Sequence, residues 1–390
     1  MRILIVHNHY TIPGGEDEVV DSESRLLKEK GHTVLVYTCN NRDLDSWSWF
    51  RKSRFVFKEA FWSEYFHQDL TRKIRQFKPN IIHVHNPFYL LSPSVYDACY
   101  REKVPVVQTL HNYRFLCPAG TLFRNGHPCH DCIHQGLKQA VLHSCWQHSM
   151  PKTFFLSQVL RSYRHLKMPQ DFVSRFIVPS AFTKSIFVQA GWPENRIIVK
   201  PNIIFPYKGE QPPEEHFVLF AGALYDYKGI GTLLKVWGKG QGPCILKMVG
   251  DGPLKHKVIS HLNDRLEYLG RLPANQVREL MARAMAVVVP SLCYETFSRV
   301  IAEAYSCGTP VIASNLGALR ELVIDQQTGL LFTPDDAQDL EMKISSLLTN
   351  TKMTVAMRSA SKVFFEKHLS MESNYKQLIN IYQSSIDTRN

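Results

Sequence analysis

Pro290-Ser291-Leu292-Cys293-Tyr294-Glu295-Thr296-Phe297-Ser298-Arg299-Val300-Ile301-Ala302-Glu303-Ala304-Tyr305-Ser306-Cys307-Gly308-Thr309-Pro310-Val311-Ile312-Ala313-Ser314 is the stretch that decides the predicted fold of this chain. It predicts a βαβ unit, in which a strand over 285–289 ends in a polar turn and a helix leads through Gly-Thr-Pro to a second strand. Thr296 or Ser298 can cap the start of this helix. Since the first amides of such a helix are free and face the carboxyl edge of a parallel sheet, we expect a phosphate to bind there.

Two carboxylates flank the expected phosphate site. Glu295 lies in the turn, and Glu303 lies eight positions later, inside the predicted helix. Carboxylate oxygens accept hydrogen bonds from hydroxyl groups such as those of a ribose or a sugar. A solvated turn residue and a helix-surface charge are the ordinary interpretation of an isolated pair of glutamates. The spacing alone therefore assigns no function.

The wider motif resembles the signature of glycosyltransferase family four, a large family of retaining enzymes with the GT-B fold. It consists of Glu295, seven intervening residues, Glu303 and Ala304. After three further residues it continues with Gly-Thr-Pro-Val-Ile-Ala-Ser over 308–314. The resemblance covers nearly the whole chain and is densest over 217–335. It implies an α/β protein with two doubly wound Rossmann-like domains that face each other across a cleft, where a nucleotide diphosphate sugar binds.

The length of 390 residues favours two domains, and 44% hydrophobic with 21% charged residues is typical of a globular protein. The predicted organisation is an acceptor-side domain over 1–201 with an insertion over 117–145, a linker over 202–215, a nucleotide-sugar-binding domain over 216–370, and a C-terminal helix over 371–390 that returns to the first domain, as in other GT-B proteins.

Charge and cysteine content bear on partners and location. The net charge of +11 favours anionic partners. Neither a run of eighteen apolar residues nor the apolar core of a signal peptide is present, so the nine cysteines predict reduced thiols in the cytoplasm. We therefore expect a cytoplasmic protein, with peripheral attachment to the inner face of the membrane as an extension of this prediction.

Short buried-type strands alternate with helices in the amino-terminal half, which predicts a parallel, doubly wound sheet. Gly14 and Gly15 lie in the first strand–helix turn, where glycines let a ligand approach and leave amides free for a phosphate. His111 follows another strand, at the edge of the sheet where ligands bind. The family resemblance implies that the glycine loop faces the donor diphosphate and the acceptor, and that His111 faces the donor sugar.

The segment 47–78 combines eight basic, three acidic and ten aromatic residues. Basic and aromatic side chains together suit a membrane surface with anionic headgroups. A core helix with a solvated basic face is an equal alternative. Nucleic acid is the weakest interpretation, because no nucleic-acid-binding module accompanies the segment, and we expect no nucleic-acid partner.

Lys228 and Gly229 precede a helix in the second half, where a lysine is suited to hold a diphosphate. The resemblance assigns them to phosphate binding. Most family members carry an arginine after the first glycine of this loop, whereas Ala223 follows Gly222 here. Arg299 either supplies the missing charge or is an ordinary residue of the helix surface.

The resemblance implies the remaining donor contacts. Backbone near Arg271 would pair with the nucleotide base, Glu303 would bind the ribose hydroxyls, and Glu295 would bind the donor sugar. For the glycine-rich turns, ordinary turn chemistry is the alternative. The expected donor-binding residues are Gly14, Gly15, Gly222, Lys228, Gly229, Asp251, Arg271, Leu272, Phe297, Ser298, Arg299 and Glu303, and the expected catalytic residues are His111 and Glu295.

The insertion 117–145 carries cysteines at four positions: Cys117, Cys129, Cys132 and Cys145. A Cys-x2-Cys pair can give two thiolates to one zinc ion, and two further cysteines can complete a tetrahedral structural site. One of the histidines can replace a thiolate; these are His127, His130 and His134. Reduced thiols are the simpler interpretation, and disulfides apply in an oxidising compartment.

The sequence thus predicts a retaining glycosyltransferase that requires no cofactor for catalysis. Its donor would be a nucleotide diphosphate sugar, with UDP favoured and GDP as the alternative. The acceptor would be a hydroxyl of a glycan or of a lipid-linked molecule in cell-surface polysaccharide synthesis. A nucleotide-sugar 2-epimerase and a non-catalytic glycan- or nucleotide-binding relative are the competing hypotheses.

Overall fold

The computed structural model describes residues 1–11, 14–167, 169–210 and 214–388. The chain divides into two compact units. The first comprises Met1–Gly120, His130–Ile203 and Asn374–Asn390, and the second comprises Thr121–Cys129 and Ile204–Ser373. Residues 121–129 of the predicted insertion therefore group with the second unit, whereas the whole insertion was expected in the first domain.

The strands alternate with helices along most of the chain. The strands are β1 Arg2–His9, β2 Thr33–Asn40, β3 Ile81–Asn86, β4 Val106–Thr109, β5 Phe123–Arg124, β6 His127–Pro128, β7 Arg175–Val178, β8 Ile197–Val199, β9 Glu215–Ala221, β10 Ile245–Val249, β11 Leu266–Gly270, β12 Ala284–Val289, β13 Val311–Ser314 and β14 Gly329–Phe332. The α-helices are α1 Gly15–Glu29, α2 Trp49–Arg54, α3 Glu64–Phe77, α4 Ser94–Arg101, α5 Asp131–His134, α6 Lys138–Leu142, α7 Met150–His165, α8 Ala181–Gln189, α9 Ile230–Trp237, α10 Lys255–Ile259, α11 Ala274–Arg283, α12 Arg299–Ser306, α13 Leu319–Leu322, α14 Ala337–Thr349, α15 Thr351–Phe364 and α16 Met371–Asp387.

The first unit contains a six-stranded sheet in the order β2-β1-β3-β4-β7-β8, and every neighbouring pair is parallel. Ile3 and Ile5 of β1 are fully buried. They share a hydrophobic cluster with Leu378 and Tyr382 of α16, which therefore packs on this sheet. An all-parallel sheet needs apolar cover on its faces, and α16 supplies part of it.

The second unit contains a six-stranded parallel sheet in the order β11-β10-β9-β12-β13-β14. Successive residues of β9 enter different clusters: Val218 packs with α9 and α14, whereas Leu219 packs with α11 and α12. Since side chains alternate between the faces of a strand, helices cover both faces of this sheet. The prediction of two doubly wound Rossmann-like α/β domains is confirmed.

The predicted βαβ unit is present as β12, α12 and β13. Its helix begins at Arg299 with Ser298 as the N-cap residue, but the Ser298 side chain makes no capping hydrogen bond. Ser298 therefore occupies the predicted N-cap position without the side-chain hydrogen bond expected there. In the part of the chain that is described, no helix is long and apolar enough to cross a membrane.

Candidate functional site

In the second unit, an ion pair joins two of the predicted site residues. The Nζ of Lys228 lies 2.8 Å from Oε1 of Glu295, in the turn between β12 and α12. The same oxygen accepts a short hydrogen bond from the hydroxyl of Ser291, which sequence reasoning missed. Burial lowers the pKa of Lys228, but the Glu295 carboxylate outweighs it and raises the pKa above its ordinary value. The ammonium group is therefore charged beside the start of α12.

A glycine sets the position of Lys228. Gly229 has a φ of +75°, and a Cβ atom added there would lie 1.9 Å from the carbonyl oxygen of Pro290. The same two segments are joined by a 2.8 Å hydrogen bond from the amide of Leu292 to the carbonyl of Tyr227. Only glycine combines this backbone conformation with this close contact. The predicted Lys-Gly pair thus connects the loop before α9 to the end of β12.

Glu303 faces two guanidinium groups. Its Oε1 lies 3.2 Å from Arg299 and 4.0 Å from Arg278. If Arg299 binds a phosphate as predicted, its guanidinium group must contact both that phosphate and Glu303. At the helix start, Phe297 and Ser298 are buried, and the first amides of an α-helix have no acceptor within the helix. Four of the predicted donor-binding residues thus lie within one turn and the helix that follows it: Phe297, Ser298, Arg299 and Glu303.

The other donor-binding predictions in this unit fall at the carboxyl ends of β9, β10 and β11. The amide of Leu224 donates to the carbonyl of Asp251 at 2.9 Å, and the amide of Gly222 donates to Val249 at 3.0 Å. A Cβ atom on Gly250 would lie 1.8 Å from the carbonyl oxygen of Gly222. These loops are therefore held together by backbone contacts, and the Asp251 side chain accepts from the amide of Gly252. Beyond β11, Arg271 is exposed and Leu272 is half-buried.

In the first unit, the glycine loop differs from the prediction. The amide of Gly14 donates a 2.7 Å hydrogen bond to Oδ2 of Asp17, and Gly15 is the first residue of α1. The Gly14 amide is therefore engaged, not free for a phosphate. Pro13, which precedes these glycines in the sequence, lies outside the described residues. Asp17 also meets two histidines: its Oδ1 lies 2.9 Å from His7 Nε2 and 2.6 Å from His9 Nδ1. Burial raises the pKa of Asp17, but these hydrogen bonds outweigh it and lower the pKa to about 2.

His111 contacts a second buried histidine. Its Nε2 lies 2.8 Å from Nδ1 of His85, and the two rings stack with centroids 5.1 Å apart. Burial lowers the pKa of both imidazoles well below the ordinary value, so both are neutral at pH 7. Glu16, Asn112 and these two histidines line one small cavity.

Glu16 was also missed by sequence reasoning. The side-chain Nδ2 of Asn112 donates a 3.2 Å hydrogen bond to Oε2 of Glu16, whereas Oε1 is buried without a hydrogen-bond partner. Burial, together with the charge of the nearby Asp17, raises the pKa of Glu16 to about 8. Two adjacent carboxyl groups in the first turn of α1 therefore have pKa values that are shifted in opposite directions.

Two groups of described residues place three metal-binding atoms within 4.8 Å of one another: His7, His9 and Asp17, and Glu23, His83 and His85. In the second group, Lys200 already neutralises Glu23. Neither group contains a cysteine of the insertion. Cys117 and Cys132 are buried, Cys129 and Cys145 are half-buried, and the zinc site stays a prediction.

The basic aromatic segment forms α2 and the residues around it. Trp49, Phe50 and Phe57 are 74%, 78% and 83% exposed, so they are not core residues. The Arg51 guanidinium lies 3.9 Å from the centre of the Trp47 ring. An open groove of about 1150 Å³ runs beside α2, and Trp47, Arg51 and the half-buried Asp69 are among the residues that line it. The alternative of a core helix with a solvated basic face is therefore wrong for α2.

Comparison with known proteins matches both halves of the chain. The family model for "Glycosyltransferase Family 4" matches residues 13–205, and the model for "Glycosyl transferases group 1" matches residues 204–364. An uncharacterized glycosyltransferase of Methanocaldococcus jannaschii is 32% identical over 44% of this chain. The chain spans about half the length of that relative (49%).

A longer alignment and a solved structure agree with these matches. The gpi3 subunit of the phosphatidylinositol N-acetylglucosaminyltransferase of Schizosaccharomyces pombe is 24% identical over 87% of this chain and 70% of its own length. The crystal structure of Anabaena HepE in complex with UDP-glucose superposes with a TM-score of 0.67 at 19% identity, over 98% of this chain and 100% of that chain. The structural likeness supports the same fold.

Proposed function

Because this chain belongs to the family-four glycosyltransferases of GT-B fold, we propose that it is a retaining glycosyltransferase whose donor is a nucleotide diphosphate sugar. UDP is the proposed nucleotide and GDP the alternative, and the solved complex of HepE with UDP-glucose supports UDP. The observation that carries the proposal is the charged Lys228, held 2.8 Å from Glu295 beside the start of α12. A cation, a carboxylate and a helix start suit a diphosphate attached to a polyhydroxyl group.

In the proposed reaction, the bond between the anomeric carbon and the diphosphate oxygen breaks while the acceptor oxygen bonds to the same face of that carbon. The acceptor's proton passes to the leaving phosphate. Lys228 and the amides of 297–299 stabilise the charge that grows on the leaving group, so no metal is required. Glu295 binds donor hydroxyls, Glu303 binds the ribose, and His111 lies beside the donor sugar.

The proposed acceptor is a hydroxyl of a glycan or lipid-linked molecule in cell-surface polysaccharide synthesis. The exposed aromatic residues of α2 lie among basic side chains, and this combination favours an anionic membrane surface. The groove beside α2 offers polar and aromatic walls for the head of such an acceptor. Peripheral membrane attachment is therefore part of the proposal.

A panel of UDP-, GDP- and ADP-sugars tests the proposal by thermal shift and by release of the nucleoside diphosphate. We expect one nucleotide to stabilise the protein and its sugar conjugate to be hydrolysed slowly when no acceptor is added. Lys228→Met should abolish this release, whereas Lys235→Met is the matched control, because Lys235 is an exposed residue of α9 paired with Asp335. Binding without release by the wild-type protein would support a non-catalytic relative instead.

A further inference from the structure

A chain of buried polar groups lies behind His111 in the first unit. His85 Nδ1 lies 2.8 Å from His111 Nε2, and His85 Nε2 lies 3.6 Å from Oε2 of Glu23. Glu23 and His85 are 1% and 3% exposed. Water therefore does not settle which nitrogen of each ring carries the proton, and the neighbouring protein groups must do so.

The charge of Glu23 is fixed by a buried lysine. The Nζ of Lys200 lies 2.9 Å from Oε1 of Glu23, and it also donates to Oδ1 of Asn374 at 3.0 Å and to the carbonyl of Pro201 at 3.2 Å. These three acceptors use the three N–H bonds of the ammonium group. Glu23 is therefore a carboxylate whose second oxygen, Oε2, still requires a donor, and Oε2 has no hydrogen-bond partner.

His85 Nε2 also has no hydrogen-bond partner among the described residues, and although 3.6 Å exceeds the length of a hydrogen bond, His85 is the donor that can direct a proton toward Oε2. His83 is also 3.6 Å from Oε2. However, its Nδ1 lies 2.8 Å from the Tyr382 hydroxyl and its Nε2 lies 2.8 Å from Thr109 Oγ1, so both nitrogens are engaged. A lone pair on His85 Nε2 would leave two buried acceptors facing each other, which is costly. The proton of His85 therefore lies on Nε2.

The position of this proton determines the next one. With its proton on Nε2, the neutral His85 offers only a lone pair at Nδ1. The 2.8 Å contact with His111 is then a hydrogen bond in which His111 Nε2–H donates. The remaining nitrogen of His111, Nδ1, is consequently an acceptor.

We propose that Glu23 and His85 are positioning residues that hold His111 as the Nε2–H tautomer, with Nδ1 as the nitrogen that accepts a hydroxyl of the donor sugar. This inference rests on the proposed glycosyltransferase function. A neutral acceptor beside the anomeric carbon adds no positive charge where positive charge grows during transfer, so the arrangement favours the reaction. An imidazole with the opposite tautomer would meet the same hydroxyl with an N–H group.

The tautomer can be measured without activity. Nitrogen-15 NMR of the full chain with labelled histidine distinguishes protonated from unprotonated ring nitrogens, and the His111 signals are those that disappear in His111→Gln. We expect Nε2 to be protonated and Nδ1 unprotonated in the ligand-free protein. A proton on Nδ1 of His111 would overturn the proposal.

Two variants of His85 test its effect on turnover. His85→Asn places an amide oxygen near the position of Nδ1 and keeps an acceptor for His111, whereas His85→Gln does not. The assay uses UDP-glucose, or whichever nucleotide sugar the wild type hydrolyses. We expect kcat for nucleotide release to fall about tenfold or more in His85→Gln and to stay within about threefold in His85→Asn, by analogy with residues that orient metal-bound histidines.

Equal loss in both variants, with unchanged melting temperatures, would show a merely structural role and overturn the proposal. UDP affinity should be the same in both variants, because His85 is not among the predicted nucleotide contacts. If the wild type releases nucleotide from no sugar donor, the proposed function fails, while the NMR measurement still decides the tautomer.

Discussion

Glu303→Gln removes one negative charge from α12 and changes little else in shape. Glu303 lies 3.2 Å from Arg299 and 4.0 Å from Arg278, so its carboxylate is held in place before any ligand arrives. If a ribose donates two hydroxyl hydrogen bonds to this carboxylate, each is charge-assisted and contributes ~1.5–3 kcal/mol, against ~0.5–1.5 kcal/mol for a neutral acceptor. The substitution should therefore weaken nucleotide binding by roughly tenfold to a hundredfold.

Isothermal titration calorimetry with UDP and GDP measures this loss. The ligand control is the 2′,3′-dideoxy form of the same nucleotide, which lacks both hydroxyls and should bind wild type and Glu303→Gln equally. The protein control is Glu341→Gln, since Glu341 is exposed on α14. Equal affinity of wild type and Glu303→Gln for the natural nucleotide, with unchanged melting temperature, would refute the ribose assignment.

Four further predictions concern separate parts of the chain. Gly229→Ala should lower stability by roughly 1–3 kcal/mol and weaken nucleotide binding, whereas Gly231→Ala should not, because a Cβ at Gly231 meets open space; urea unfolding measures both. The pKa of Glu16 is raised from 4.5 to about 8, so the native state keeps a proton that the unfolded chain releases, and stability should fall as pH rises between these values. Glu16→Gln should accordingly raise the melting temperature at pH 9, about 1 pH unit above the native-state pKa. It should not do so at pH 5, where the native protein keeps the proton on Glu16. Reversing the three basic charges of α2 should abolish co-sedimentation with anionic liposomes, which should also weaken with salt; equal recovery with neutral liposomes would contradict this. Elemental analysis of protein purified without added metal should find close to one zinc per chain in the insertion 117–145, and none would remove that site.

The fold could be predicted because its signals are local. Apolar strands alternating with helices, and the Gly-Thr-Pro break after α12, depend on neighbours in sequence. The ends of elements were less predictable: the apolar run at the start of the chain predicts a strand over 3–6, but β1 continues to His9. These polar residues extend the ladder with β2, pairing His7 with Thr38 and His9 with Asn40. Backbone pairing thus outweighed the change from apolar to polar side chains.

The partners of the site residues could not be predicted in the same way. Lys228 and Glu295 were each proposed for donor binding, but their ion pair joins residues 67 positions apart. The network of Glu23, His85 and Lys200 depends on three separate segments. One sequence signal did exist: His83 and His85 alternate with apolar residues in a strand that is buried throughout, and buried polar side chains require partners.

The configuration of the first sugar released tests the central proposal most directly. Proton NMR follows the anomeric signals while the protein hydrolyses a nucleotide sugar in which the sugar has the α configuration, such as UDP-α-glucose. A retaining glycosyltransferase releases the α anomer first, and the β anomer forms only later by mutarotation; His111→Ala should release neither above background. The β anomer as the first product would contradict retention, and the absence of release from every nucleotide sugar tried would contradict the proposed activity.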